Sequence, residues 1–261
     1  MPYIKQLIRS GKLLEEEIYF STRHGRRGIH RSPNEAQTGE SQEKVNERRA
    51  RKRLKRLITT NFSREAGDLF VTYTYSREVT EEEAMRGERN LLDRIRRLRK
   101  KKGLKELKYI VITEKQSQWH HHVIMNGGLT WEELVAVWGS RGERVHVSTL
   151  DDSQVCEGLA RYLTEQHKAK KGTDDPENVK QPRRKGQHRW RASRNLQEPT
   201  VTKTVMKREP KLREPAKRKG YQLIRDSVTM GFDVFGMVWS HAEYVRVEEE
   251  KPKGGRRRGK D

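Results

Sequence analysis

Only one cysteine, Cys156, occurs among the 261 residues. That excludes an internal disulfide and a zinc ribbon or finger, and it fits a reducing cytoplasm. Cys156 itself reads as a small packed residue on a helix. No run of about 18 apolar residues is present, so no transmembrane helix is expected. The opening Met1-Pro2-Tyr3-Ile4-Lys5 lacks the apolar core of a signal peptide. No G-x-x-x-x-G-K-[ST] phosphate loop occurs, which excludes a helicase domain of that kind. Hydrophobic residues supply only 31%, against about 45–50% apolar residues in ordinary globular chains. One compact core with basic extensions is therefore expected, and there is no internal repeat.

Negative charge is also in deficit. Lys and Arg number 58 against 37 Asp and Glu, a net charge of +21, and the pI is about 10.1. Such a surplus costs self-repulsion in the folded chain, so an anionic partner is expected, with nucleic acid first. A membrane surface is disfavoured, because no amphipathic helix carries a rich apolar face.

Along the chain, residues 1–40 are polar and broken by glycine and proline; Glu17–Ser21 is the one short piece fit for a sheet edge. Ser41 to about Thr59 turns helical and basic. Its Val45, Leu54, Leu57 and Ile58 are too few for deep burial, so Arg48, Arg49, Arg51, Lys52 and Arg53 read as a phosphate-contacting arm or a solvated face. Phe70–Tyr75 is rich in β-branched and aromatic residues, as strands are. Thr80 with Glu83 forms a capping box that opens a helix ending before Gly103, whose Arg94, Arg96 and Arg97 form a cationic group. Strands follow at Lys108–Glu114 and Trp119–Met125, then a helix at Trp131–Trp138 behind Thr130 and a strand at Arg144–Val147. Asp151 or Asp152 caps a helix reaching about His167, and a basic loop fills 169–189. Late strands are expected at Tyr221–Val228 and Tyr244–Val247, and the tail Lys251–Asp261 is expected to be disordered. The order predicts an α+β fold, an antiparallel sheet with helices packed on one side. The divisions expected are a basic arm over 1–60, a core over 61–205, a β extension over 206–250 and the tail over 251–261.

The chemistry concentrates at Trp119-His120-His121-His122-Val123-Ile124-Met125. Side chains two apart on a strand share a face, so His120 and His122 point together while His121 points away. A five-residue connection would set Glu114 opposite His120 and Ile112 opposite His122, giving a His, His, Glu group; a four-residue connection would turn Glu114 away. Two imidazoles and a carboxylate with open positions suit a divalent Lewis acid. On the helix that follows, Tyr162 stands beside the stripe Val155, Leu159, Leu163, as a core tyrosine or as a nucleophile, and Gly158 one turn earlier leaves space for its ring. Trp119 and Trp190 are candidate base-stacking residues or core tryptophans.

Taken together, Phe70–Tyr75, Thr113-Glu114 with His120–Met125, Ala160-Arg161-Tyr162-Leu163-Thr164 and Ser193-Arg194-Asn195-Leu196 resemble the HUH superfamily of single-strand endonucleases. The resemblance spans roughly Asn61 to Pro215 and is nearest to the rolling-circle replication initiators of phages and plasmids, the filamentous-phage gene II type included. It implies an RRM-like sheet, Mg2+ or Mn2+ at His120, His122 and Glu114, and attack by Tyr162 on a phosphodiester to leave a 5′-phosphotyrosine and a free 3′-hydroxyl. It further implies single-stranded or origin DNA as substrate, host helicase and polymerase as partners, and the bacterial host cytoplasm as location. Where the family often has lysine three residues after the tyrosine, this chain has Glu165; Lys168 lies on a different side of the helix and substitutes only if the helix ends early. A transposase or relaxase of the same superfamily, and a non-catalytic nucleic-acid-binding protein on an RRM-like sheet, are the competing readings.

Overall fold

The computed structural model describes residues 2–21, 40–115, 117–139, 144–150, 158–160 and 190–247. In chain order its elements are β1 (Tyr3–Ser10), β2 (Leu13–Phe20), α1 (Glu40–Asn61), β3 (Leu69–Thr74), α2 (Glu81–Lys101), β4 (Tyr109–Lys115), β5 (Trp119–Met125), α3 (Trp131–Trp138), β6 (Arg144–Thr149), β7 (Arg191–Ala192), β8 (Thr200–Val205), β9 (Tyr221–Phe232) and β10 (Val238–Arg246). Residues 158–160 are helical too. Two compact units result, one from Met1–Ser32 with Pro199–Asp261 and one from Pro33–Glu198. Each carries an antiparallel five-stranded sheet, so the fold is α+β. The stretch around Cys156, most of the expected helix to His167 and the loop 169–189 lie outside the described residues, as do Tyr162, Glu165, Lys168 and the tail.

The central unit orders its strands β6-β3-β5-β4-β7. β5 takes the middle because it can be covered on both faces: every residue from His120 to Met125 is buried. On one face Val71, Tyr73, Tyr75, Val111, Val123 and Met125 meet α2 through Leu91, Leu92 and Ile95, and α3 through Leu134, Val137 and Trp138. Each such Leu or Ile removed from water contributes about 1.5–3 kcal/mol. Both helices start where the sequence indicates. Thr80 and Glu83 form a full capping box, as do Thr130 and Glu133, and Gly103 takes the left-handed φ of 66° just after α2.

Two expectations are corrected on the opposite face. Helices cover both sides of this sheet, not one, and α1 is deeply seated. Leu54, Leu57, Ile58 and Phe62 are buried against Ile110, Ile112 and Ile124, together with Ala160. β4 places isoleucines on one face and Val111 on the other, so neither face can be left to water. The i, i+3, i+4 spacing of 54, 57 and 58 provides a stripe wide enough to cover it. Only Val45, on the polar first half of α1, stays exposed.

The terminal unit orders its strands β8-β1-β2-β10-β9. Residues 3–20, read as polar coil with one edge piece, instead form a hairpin of two eight-residue strands, turning at Gly11 with φ 57°. The run Glu15-Glu16-Glu17 disguised β2, because acidic residues are rare in strands. Here Glu16 is buried and accepts from Lys5 at 3.2 Å and from Arg218. The late strands are longer than expected, β9 reaching Phe232 and β10 beginning at Val238, and β8 gave no signal beforehand.

Candidate metal centre

The pairing of β4 with β5 sets Glu114 opposite His120 and Ile112 opposite His122, the register of a five-residue separation. Pairing of β3 with β5 adds Thr72 opposite His122 and Thr74 opposite His120. Glu114, His120 and His122 therefore share a sheet face, and one ligand atom from each falls within 4.8 Å of the others. His120 Nε2 lies 3.2 Å from Glu114 Oε1, and His122 Nε2 lies 3.4 Å from the same oxygen. Both imidazoles are buried.

The surroundings decide which ring nitrogen faces the cluster. His120 Nδ1 lies 3.1 Å from the Gln118 carbonyl; a carbonyl only accepts, so Nδ1 carries a proton and Nε2 is the nitrogen turned to Glu114. His122 Nδ1 lies 3.0 Å from Thr72 Oγ1, and Phe70 stacks on its ring at 5.6 Å. These partners hold both rings with Nε2 inward. Lone pairs directed at a carboxylate oxygen repel it unless a proton or a cation stands between them. A divalent ion bonded to two nitrogens and one oxygen resolves the contact for all three at once, so the donor set fits such an ion. Thr72 and the Gln118 carbonyl were missed in the sequence; Thr72 becomes visible only once the β3–β5 register is known.

His121 faces the other way, fully buried at 0% exposure. Burial, and after it the charges of His120, Arg191 and His122, lowers its pKa from 6.5 to about 3. It is a neutral core group in a directed chain. Thr113 Oγ1 gives its only proton to Glu88 Oε2 at 2.5 Å, so it accepts from His121 Nδ1 at 2.7 Å. His121 Nε2 then accepts from the Tyr75 hydroxyl at 3.3 Å. Arg191 closes the chain with an ion pair to the buried Glu88 at 2.5 Å. Gly87 on α2 makes room for this, since a Cβ there would lie 1.9 Å from the Tyr75 hydroxyl.

The expected DNA-contacting residues separate by face. α1 packs on the face of the cluster; on it Arg48, Arg49 and Arg53 are exposed and Arg51 and Lys52 half-buried. Arg53 also lies 5.7 Å over the Trp190 ring and 3.5 Å from Glu198. Arg94, Arg96 and Arg97 belong to α2, which covers the opposite face. Arg94 donates to the Val137 and Trp138 carbonyls at the end of α3. Arg96 pairs with Asp93 and lies over Tyr109, and Arg97 is exposed. Trp119 and Trp190 are half-buried and packed against the two cores. Tyr162 and Lys168 lie outside the described residues, but Ala160, two residues before the tyrosine, is buried on the face of the cluster.

The terminal sheet holds a second donor group, Glu15, Glu17 and His241. There Glu17 lies 3.6 Å from Nδ1 of His241 and Glu243 lies 3.5 Å from Nε2.

Among the described residues, no helix is long and apolar enough to cross a membrane. Neither the curated proteins nor the solved structures contain a match to the chain. Residues 68–171 match the family model described as Replication-associated protein ORF2/G2P. That stretch includes β3, β4, β5 and β6, and with them Glu114, His120 and His122; the match supports a role in the initiation of replication.

Proposed function

We propose that the chain nicks and rejoins single-stranded DNA at a replication origin through a 5′-phosphotyrosine formed on Tyr162. The observation that carries this reading is the convergence of His120 Nε2, His122 Nε2 and Glu114 Oε1 on one point of a buried sheet face. When bound there, Mg2+ or Mn2+ would offset the charge that develops on a phosphate oxygen in the transition state. The protein's own groups do the rest. Glu114, His120 and His122 hold the ion, while Thr72 and the Gln118 carbonyl fix the two imidazoles. Exposed cations of α1, on the same face, hold the phosphate backbone.

Tyr162 supplies the nucleophile in this reading. Its phenolate oxygen bonds to phosphorus as the bond to the 3′-oxygen breaks, and that oxygen leaves to become the free 3′-hydroxyl. The phosphodiester energy stays in the tyrosyl link, so a later hydroxyl can reseal the strand without a nucleotide. Ala160, buried on the cluster's face, supports bringing this helix to the ion. Host helicase and polymerase would unwind and extend the template, in the bacterial cytoplasm. The test is incubation with a library of single-stranded DNA and Mn2+. A covalent adduct is expected, lost in Tyr162→Phe and in EDTA; no adduct from the unaltered chain across the library rejects the nuclease.

A further inference from the structure

The terminal sheet ends in a hairpin tip with no burial to account for its residues. At the end of β9 Phe232 is 61% exposed, and in the turn to β10 Val234 is 93% and Phe235 75% exposed. Three large apolar side chains exposed within four residues form a contiguous patch of the kind that marks a contact surface. The turn is also stiff. Asp233 Oδ1 accepts from the backbone of Phe235 at 2.8 Å and Met237 at 2.9 Å, while Asp233 N donates to Met237 O and Gly236 N to Asp233 O. Beside it, a Cβ at Gly231 would meet three indole atoms of Trp239 at 3.5–3.6 Å. That indole lies on the sheet face opposite Phe232, since Trp239 pairs with Gly231 and Val238 with Phe232.

Cations reach the same end of the sheet. Lys207 and Arg208 are exposed just after β8. Their neighbour Glu209 accepts from the Tyr3 hydroxyl at 3.2 Å, and that same hydroxyl accepts from Val238 N at the start of β10. Tyr3 therefore ties the Lys207-Arg208 segment to the base of the aromatic tip. Rigid exposed rings beside cations are what unstacked bases on a phosphate backbone require.

We propose that this end of the terminal sheet is a second single-stranded DNA contact, with bases stacked on Phe235 and Phe232 and phosphates at Lys207 and Arg208. The choice of DNA as the strand rests on the nuclease reading; the stacking chemistry does not.

The test measures binding of a fluorescent thymidine 20-mer to the full chain in EDTA, where metal chemistry is silent. Phe235→Ala is expected to weaken binding by roughly 5- to 160-fold, the range for losing one base–aromatic stack. Phe235→Tyr, which keeps a ring, should restore it. Lys207→Ala with Arg208→Ala should lower the slope of log affinity against log salt by about 0.7 per contact. The exposed tip makes folding insensitive to these changes, which circular dichroism verifies. Unchanged affinity in Phe235→Ala overturns the proposal. So does equal binding of a duplex of the same length, and so does a dimer in sedimentation that Phe235→Ala dissolves without altering DNA affinity. If this contact is found and no tyrosyl adduct forms under Mn2+, the nuclease reading fails while the stacking surface stands.

Discussion

At the residue scale, three adjacent histidines do two different jobs because alternate strand positions face opposite ways. His120 and His122 keep Nε2 for the cluster, and His121 is a neutral core link between Tyr75 and Thr113. Removing the His121 ring leaves a cavity and breaks a buried chain. His121→Ala should therefore destabilise the protein by about 2–4 kcal/mol, seen as a lower denaturation midpoint. Thr72 acts on His122 through Nδ1. Thr72→Val should weaken Mn2+ binding about 10- to 100-fold, as loss of such outer partners does, while Thr72→Ser should retain it; equal affinity in all three would remove Thr72 from the site. The sequence already separated His121 from its neighbours by strand alternation. Thr72 was invisible there, because nothing local indicates which residue of β3 stands across from His122.

At the element scale, contact between α2 and the sheet depends on a missing side chain. In an ordinary helix interior Gly→Ala stabilises by about 0.5–1 kcal/mol. At Gly87 the new methyl would strike the Tyr75 hydroxyl, and overpacking of that kind costs about 1–3 kcal/mol, so the clash should win. Gly87→Ala is expected to lower stability in chemical denaturation, with part of the loss recovered when Tyr75→Phe is added. A stabilised Gly87→Ala would show that the hydroxyl can move aside freely. The capping boxes of α2 and α3 and the β3, β4 and β5 signals were plain in the sequence because they rest on short-range chemistry. The seating of α1 was not, because its shield on the sheet depends on β4 isoleucines some fifty residues away. The strand β2 was hidden by three glutamates whose partners, such as Arg218, come from the far end of the chain.

At the scale of the whole molecule, a net charge of +21 makes DNA affinity a matter of counterion release. Arg49→Gln and Arg53→Gln on the cluster's face should each reduce the salt slope for single-stranded DNA by about 0.7. Arg94→Gln, whose guanidinium holds the end of α3, should instead lower stability and leave that slope unchanged. The cluster itself joins the unit's central strand to its neighbour, so a bound ion should stabilise the fold by mass action, about 2.7 kcal/mol at a hundred times its dissociation constant. The most direct test of the account is calorimetric titration of the full chain with Mn2+. The predicted result is a binding event abolished by His120→Ala, by His122→Ala and by Glu114→Gln, and preserved in Thr72→Ser. Binding that survives all three ligand substitutions would place the ion elsewhere and contradict the account.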